Sequence, residues 1–357
     1  MKIGNRDYTR EELLRRVGNP AQLGGTRHYT LSDGRSKNVA AIDVDTGGGF
    51  RFTVLPDRGL DISLASYKGL KLVYLTPNGE VHPAFYEPEG MGWLRTFFGG
   101  LLTTCGLTYL GAPGFDEGQQ LGLHGRYAAS PARRVCDRSG WDGDEYRVEI
   151  SGVVEECAVF GDKIRLTRTI TTSLGSKALT ICDVAENFGY ATSPFTVLYH
   201  VNAGFPLLDA SARLSLTAQE SFPLDETSAA GFEQWPVISE PIPDFAEQNF
   251  LHTMACGQDG LAAAVLINRE LLDGLGLYIR FDPRELPYLN QWKMMGEGDY
   301  VMGIEPCNAP CAPRAELRSQ GLLPVLEPGQ SRTNHVEIGV LDGEEEIDRF
   351  LKQMKSA

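Results

Sequence analysis

The sequence predicts an all-β protein: a large antiparallel β-sandwich with short terminal helices. Short runs alternate apolar and polar residues with period two, and 40 glycines and 20 prolines punctuate them. Clear helical periodicity is confined to the two ends. The runs spread evenly along 357 residues, with no Ser/Gly/Pro linker and no fixed-period repeat, so one domain over 1–357 is the economical description.

Each element has a local reason. Thr9 precedes Glu11 and Glu12, and Leu13, Leu14 and Val17 follow at helical spacing. Thr9 reads as an N-cap, Glu12 completes a capping box, and Gly18-Asn19-Pro20 ends the helix, all within 1–20. Val39–Asp45, Phe50–Leu55, Arg147–Val154, Ile164–Thr172, Leu179–Val184 and Glu337–Leu341 read as strands from their alternation and β-branched content. Leu261–Ile267, the longest apolar stretch, reads as a buried strand or a short helix. Pro223–Asn249 is acidic and carries Pro236, Pro241 and Pro243, the texture of a long surface loop bordering a site. Within 343–357, Ile347, Phe350, Leu351 and Met354 form the apolar stripe of a C-terminal helix packed on the body of the domain.

Composition removes several function classes. The net charge of −14 leaves no basic excess for nucleic acid or an anionic membrane surface. Met1–Arg16 lacks the apolar core of a secretory leader, and no apolar run is long enough to span a bilayer, so a cytoplasmic location is expected. Seven scattered cysteines read as reduced, mostly buried thiols. Cys307 and Cys311, alone and held by Pro306 and Pro310, are a weak zinc signal.

Against this background a few polar residues stand out. Only six histidines occur, and His124 lies in Leu123-His124-Gly125-Arg126, where glycine opens space beside the ring. Arg126 is expected to hold His124 neutral. A structural histidine bonding a neighbouring loop is a fair rival. His200 ends the apolar run Phe195–Tyr199, and Asn202 shares its face if the strand continues. A satisfied core histidine is equally weighted there. Glu305, between Ile304 and Pro306, is expected to be desolvated and raised towards the range of a base, or else to pair with Lys293 or Arg58. Leu289-Asn290-Gln291-Trp292-Lys293 sets an aromatic face among polar groups, suited to holding a sugar ring. Arg58 in Pro56-Asp57-Arg58-Gly59 reads first as part of a hairpin turn, and otherwise as a donor to a polar ligand. Gly99-Gly100 reads as close sheet packing, with no phosphate-loop lysine after it.

Taken in order, Pro-Asp-Arg-Gly at 56–59, Leu-His-Gly at 123–125, the strand-borne His200 and the late Glu305 resemble the galactose mutarotase (aldose 1-epimerase) superfamily, in an uncharacterised bacterial branch. The resemblance runs from about Pro56 to Pro310. It implies a β-sandwich with a sugar in an open cleft and no metal or nucleotide cofactor. Glu305 would be the general base on the anomeric hydroxyl and His200 the acid at the ring oxygen. His124 would hydrogen-bond the ring oxygen or a neighbouring hydroxyl.

This chain also departs from the superfamily pattern. Arg126 replaces a second glycine, the aromatic pair between the second histidine and its asparagine is missing, and Pro306-Cys307-Asn308 follows the glutamate. The sugar-binding aspartate has only Asp282 and Asp299 as candidates.

The reading is therefore a cofactor-independent, mutarotase-like isomerase. Glu305, His200 and His124 are catalytic, and Arg58, Arg126, Asn202, Gln291, Trp292 and Lys293 bind substrate. Arg58, Arg126 and Lys293 make an anionic sugar an option. The partner is a small sugar, with no nucleic acid and no membrane, and the choice between monomer and homodimer is open. The rivals are a catalytically silent carbohydrate-binding protein and a metal-dependent sugar isomerase or lyase holding its ion through His124, His200 and Glu305.

Overall fold

The chain, as a computed structural model, is described over residues 1–3 and 6–355; Gly4, Asn5, Ser356 and Ala357 lie outside the described residues. After helix α1 (Arg10–Leu14), strands β1 (Gly25–Thr30), β2 (Ala40–Asp45), β3 (Phe50–Leu55), β4 (Asp61–Tyr67) and β5 (Leu70–Lys71) form a five-stranded antiparallel meander. Strand β6 (Thr103–Leu107) opens a second sheet. Next come β7 (Arg133–Asp137), β8 (Gly140–Asp142), β9 (Glu145–Cys157), β10 (Lys163–Ser173) and β11 (Ala178–Asn187), five strands of a nine-stranded sheet. The two larger sheets are completed by β12 (Thr196–Gly204), β13 (Arg213–Leu216), β14 (Ala218–Pro223), β15 (Gln248–Met254), β16 (Ala262–Asn268), β17 (Leu275–Phe281), β18 (Tyr288–Met295), β19 (Tyr300–Cys307) and β20 (Ser331–Asp342). The nine-stranded order is β7-β9-β10-β11-β20-β17-β16-β13, with β8 paired to β9. The six-stranded order is β14-β15-β18-β19-β12-β6.

The alternation seen in the sequence is the burial pattern. Strand β10 runs buried and half-buried in strict turn. One apolar core joins the three large sheets, for example through Ile42 and Val54, Ile170 and Ile181, and Val201 and Ile304. Bridges at Ile62–Leu102 and Val73–Ala203 tie the first sheet to the six-stranded one.

The capping box is present: Thr9 Oγ1 accepts from Glu12 N–H at 3.2 Å and Thr9 N–H donates to Glu12 Oε2 at 3.1 Å. Helix α3 (Glu344–Met354) buries Ile347 and Phe350 against Ala263, Val265 and Ile267 of β16.

The apolar stretch near 261–267, read as a buried strand or a short helix, is strand β16, buried throughout. Two local expectations need correction. The segment 223–249 is more than loop, because Asp225 caps a short helix α2 (Glu226–Ala230), followed by a 3-10 turn over Phe232–Gln234. The cysteines are all free, but Cys136, Cys157 and Cys256 are exposed, since the outer face of a sheet and its turns accept a small side chain without burying it. Among the described residues no helix is long and apolar enough to cross a membrane.

Candidate active site

Three neighbouring strands of the six-stranded sheet set a row of polar groups side by side. Asn290 on β18 pairs with Glu305 on β19. The pairs Leu198–Cys307 and Asn202–Gly303 bracket His200 of β12 opposite Glu305. Because side chains alternate across a strand, Asn290, Glu305 and His200 leave one face, while Leu289, Ile304 and Val201 leave the other into the core. His200 thus sits in mid-strand, not at a strand end.

The row is closely spaced. Asn290 Nδ2 donates to Glu305 Oε2 at 2.7 Å. Glu305 Oε1 lies 3.2 Å from His200 Nε2 without the alignment of a hydrogen bond. Gly303, two residues before the glutamate on the same face, leaves room for the carboxylate, since a Cβ there would collide with Oε1.

His124 arrives from a loop. Its φ of +57° and the +73° of Gly125 put two consecutive residues in the left-handed region. A Cβ on Gly125 would run into the carbonyl oxygens of Tyr109 and Gly106, so the Leu-His-Gly glycine is a packing requirement. His124 Nδ1 donates to Leu110 O at 2.9 Å; a carbonyl only accepts, so Nε2 is left as an acceptor. The two imidazole centroids are 5.9 Å apart, at nearly right angles.

His124, His200, Asn290 and Glu305 form part of the wall of a cavity of about 380 Å³, within the range of small-ligand sites. Trp93, Phe97 and Trp292 supply aromatic walls, with Trp292 5.5 Å and Phe97 5.3 Å from the His200 ring. The segment after β14 contributes Asp225, Glu247 and Asn249, so it borders the site as its composition suggested. Trp292 Nε1 donates to Glu247 Oε2 at 2.7 Å. A larger, more open groove on the first sheet, lined by Arg27, Tyr29, Asp43 and Arg51 among others, has no histidine.

Burial dominates the electrostatics. It raises Glu305 to about 8, which the Asn290 hydrogen bond opposes and Glu247 reinforces. Burial, reinforced by His124, lowers His200 to about 3, and burial lowers His124 to about 4. The neutrality of His124 therefore comes from desolvation and not from Arg126.

Five of the expected substrate contacts lie elsewhere. Arg58 is 1% exposed and spends its guanidinium on the carbonyls of Ala128, Val81 and Thr96 at 2.5, 2.7 and 2.9 Å. Arg126 is exposed and lines a neighbouring hollow with Tyr86 and Glu156. Gln291 and Lys293 alternate with Trp292 and so leave the opposite face of β18. Gln291 Nε2 donates to Trp235 O and Lys293 Nζ to Gln234 O. Asn202 is fully buried, donates to Gly100 O and His200 O, and lies beside the His200 ring, where it favours the charged imidazole. It is therefore a neighbour of the histidine and does not line the cavity. Of the six, Trp292 alone does.

Neither aspartate candidate reaches the cavity: Asp282 pairs with Arg284, and Asp299 accepts from Tyr74. Asn290 lies in the segment read around Trp292 but was given no role of its own, although period two places it on the Trp292 face. Glu247 comes from the acidic 223–249 segment without being singled out there, and Trp93 and Phe97 come from a separate segment. Among the described residues no three His, Cys, Asp or Glu side chains are placed to hold a metal ion, which leaves the metal reading without geometric support.

A sequence family described as a domain of unknown function, DUF4432, matches residues 36–340. No curated protein matches the chain. Among solved structures, a candidate aldose 1-epimerase from Klebsiella pneumoniae superposes with a TM-score of 0.87 at 24% identity, covering 94% of this chain and 91% of that one. A galactose mutarotase-like protein from Clostridium acetobutylicum gives 0.63 at 14%, covering 90% and 99%. Galactose 1-epimerase from Lactobacillus acidophilus gives 0.58 at 13%, covering 90% and 100%. At these identities the likeness establishes the fold. The chain belongs to the DUF4432 family and has the galactose mutarotase-like β-sandwich fold.

Proposed function

We propose that this protein is a cofactor-independent isomerase of the aldose 1-epimerase type, exchanging sugar anomers by acid–base ring opening. The observation that carries the reading is the His200–Glu305 neighbour pair, 3.2 Å apart on the wall of a sugar-sized cavity. The anomeric hydroxyl and the ring oxygen are bonded to the same carbon. A group that takes a proton from one and a group that gives a proton to the other can therefore be neighbours, as His200 and Glu305 are.

Burial raises the carboxyl and lowers the imidazole, so near neutral pH Glu305 is a protonated acid and His200 a neutral imidazole with one nitrogen able to accept. Glu305 delivers it to the ring oxygen as the bond to the anomeric carbon breaks, and His200 Nε2 takes the anomeric hydroxyl proton. The open aldehyde rotates about its bond to the next carbon and recloses by the reverse transfers. The resting proton is thus on the carboxyl, opposite to the starting arrangement implied by the resemblance. His124, neutral with Nε2 as its free acceptor, receives a hydrogen bond from a sugar hydroxyl; the ring oxygen has no proton to give it. Trp292 and Phe97 cover a ring face.

The test is anomer exchange measured by NMR saturation transfer over a panel of aldoses, with Glu305→Gln and His200→Asn alongside. Acceleration lost in both variants supports the reading. No acceleration with any aldose overturns it, and sugar binding without exchange would assign the site to recognition.

A further inference from the structure

The charge of the cavity points to the charge of its ligand. The sequence offered Arg58, Arg126 and Lys293 as contacts for an anionic sugar, and none of them reaches the cavity. Among the described residues that line it there is no lysine and no arginine, whereas Asp225 and Glu247 contribute exposed carboxylates. Both are held in place: Asp225 Oδ1 accepts from Ser228 N–H at 2.7 Å, and Glu247 Oε2 from Trp292 Nε1 at 2.7 Å.

Two further features point to a ligand at this place. Buried polar atoms of the same wall lack partners, namely Glu305 Oε1 and Asn290 Oδ1, on residues 1% and 2% exposed. The aromatic side is dense, with Trp93 and Phe97 stacked at 4.5 Å and Phe97 6.2 Å from Trp292. Aromatic faces together with carboxylates, and no competing cation, are the chemistry that recognises an ammonium group. An anionic sugar would meet like charge at the rim and, within the chain's overall charge of −14, a repulsive field on approach.

We infer that the cavity takes an aldose carrying a protonated amino group, held between the aromatic rings and the Asp225 and Glu247 carboxylates, ahead of neutral aldoses and with anionic ones excluded. The inference rests on the sugar reading above, and its test separates the two. Binding is measured by ligand-observed NMR on the full chain at about pH 6, where an aliphatic amine is protonated. The probes are glucosamine, N-acetylglucosamine, glucose and glucuronate, with the galacto series in parallel, and anomer exchange is followed on the same samples.

The amine is expected to bind about three- to tenfold more tightly than the neutral and acetylated sugars, an advantage that shrinks with added salt. Asp225→Asn combined with Glu247→Gln brings the amine to parity with glucose. Asparagine still caps α2, so this variant keeps its fold. Uronate binding equal to or tighter than glucose, or an amine preference that survives the double substitution, overturns the inference. The expected ranking without anomer exchange supports the charge inference and overturns the isomerase reading. Exchange without an amine preference does the reverse, and no binding by any probe overturns both.

Discussion

Two buried polar clusters hang on successive residues of β12, and they differ in how completely they are satisfied. Tyr199 points into the core, where its hydroxyl donates to Asp183 at 2.8 Å. Arg168 there pairs with Asp61 at 2.8 Å and Asp183 at 2.7 Å, and donates to Thr104 Oγ1 at 3.0 Å. Every member of that cluster has a partner. His200, one residue on, points to the other face, where His200 Nδ1, Glu305 Oε1, Asn290 Oδ1 and the neighbouring Asn202 Oδ1 have none. A buried polar atom without a partner costs about 1–3 kcal/mol, so several of them together on one cavity wall mark a candidate binding site. By this measure Arg168 and Arg58 are structural, and the Glu305 row is the candidate site.

The sharpest break in the comparison comes from conservative substitution on each side. On the incomplete side, Glu305→Gln is expected to lower the rate of anomer exchange about 10²–10⁴-fold while leaving the melting temperature unchanged or higher, because it removes a desolvated ionisable group. On the complete side, Arg168→Met is expected to cost about 3–5 kcal/mol by stranding Asp61 and Asp183, seen as a lower urea midpoint or as insoluble protein. Adding Asp61→Asn and Asp183→Asn should restore part of that loss. A Glu305→Gln protein that unfolds as readily as Arg168→Met would erase the distinction.

The pH dependence comes next in size. His200, His124 and His252 sit at about 3, 4 and 4 in the fold against an ordinary 6.5, all through burial first. Below about 6.5 the unfolded chain takes up protons that the fold refuses, so their contribution to stability is lost as pH falls towards 4. Glu305 has the opposite sign. Between its ordinary 4.5 and about 8 the fold keeps a proton the unfolded chain has released, so stability declines as pH rises through that window. From these groups the melting temperature should peak near 6.5, and Glu305→Gln should flatten the alkaline side. The wild-type kcat/KM should fall above about 8, where Glu305 loses its proton.

The smallest effect belongs to the rim, where groups are half satisfied. Trp292→Phe keeps the aromatic wall but loses the bond to Glu247. A hydrogen bond of this kind contributes about 1 kcal/mol, so KM should rise roughly three- to tenfold with kcat nearly unchanged. A fall in kcat matching the rise in KM would move the indole from binding into the proton-transfer step.

Much of this molecule can be read from local chemistry. Strand β10 announces itself by strict alternation of β-branched residues, α1 by Thr9 and Glu12, and the desolvation of Glu305 by its apolar neighbours. Errors arose where a residue's type was taken for its direction. Gln291, Trp292 and Lys293 look like one polar–aromatic patch, yet consecutive strand residues cannot share a face, and only Trp292 turns to the cavity. Arg58 looks like a free donor because the three carbonyls it binds come from residues 81, 96 and 128.

Local periodicity, turn residues and the scarcity of histidine therefore determined the β architecture and named Glu305, His200 and His124, since each depends on a few adjacent residues. Register decided the rest. Whether Glu305 would meet His200 on one side and Asn290 on the other depends on how three strands distant in sequence align. Charge around the cavity was decided the same way, by pairings that turned Arg58 inward, Arg126 outward and Lys293 to the opposite face of its strand. No window of sequence contains those long-range alignments, because their energies are shared across the whole core.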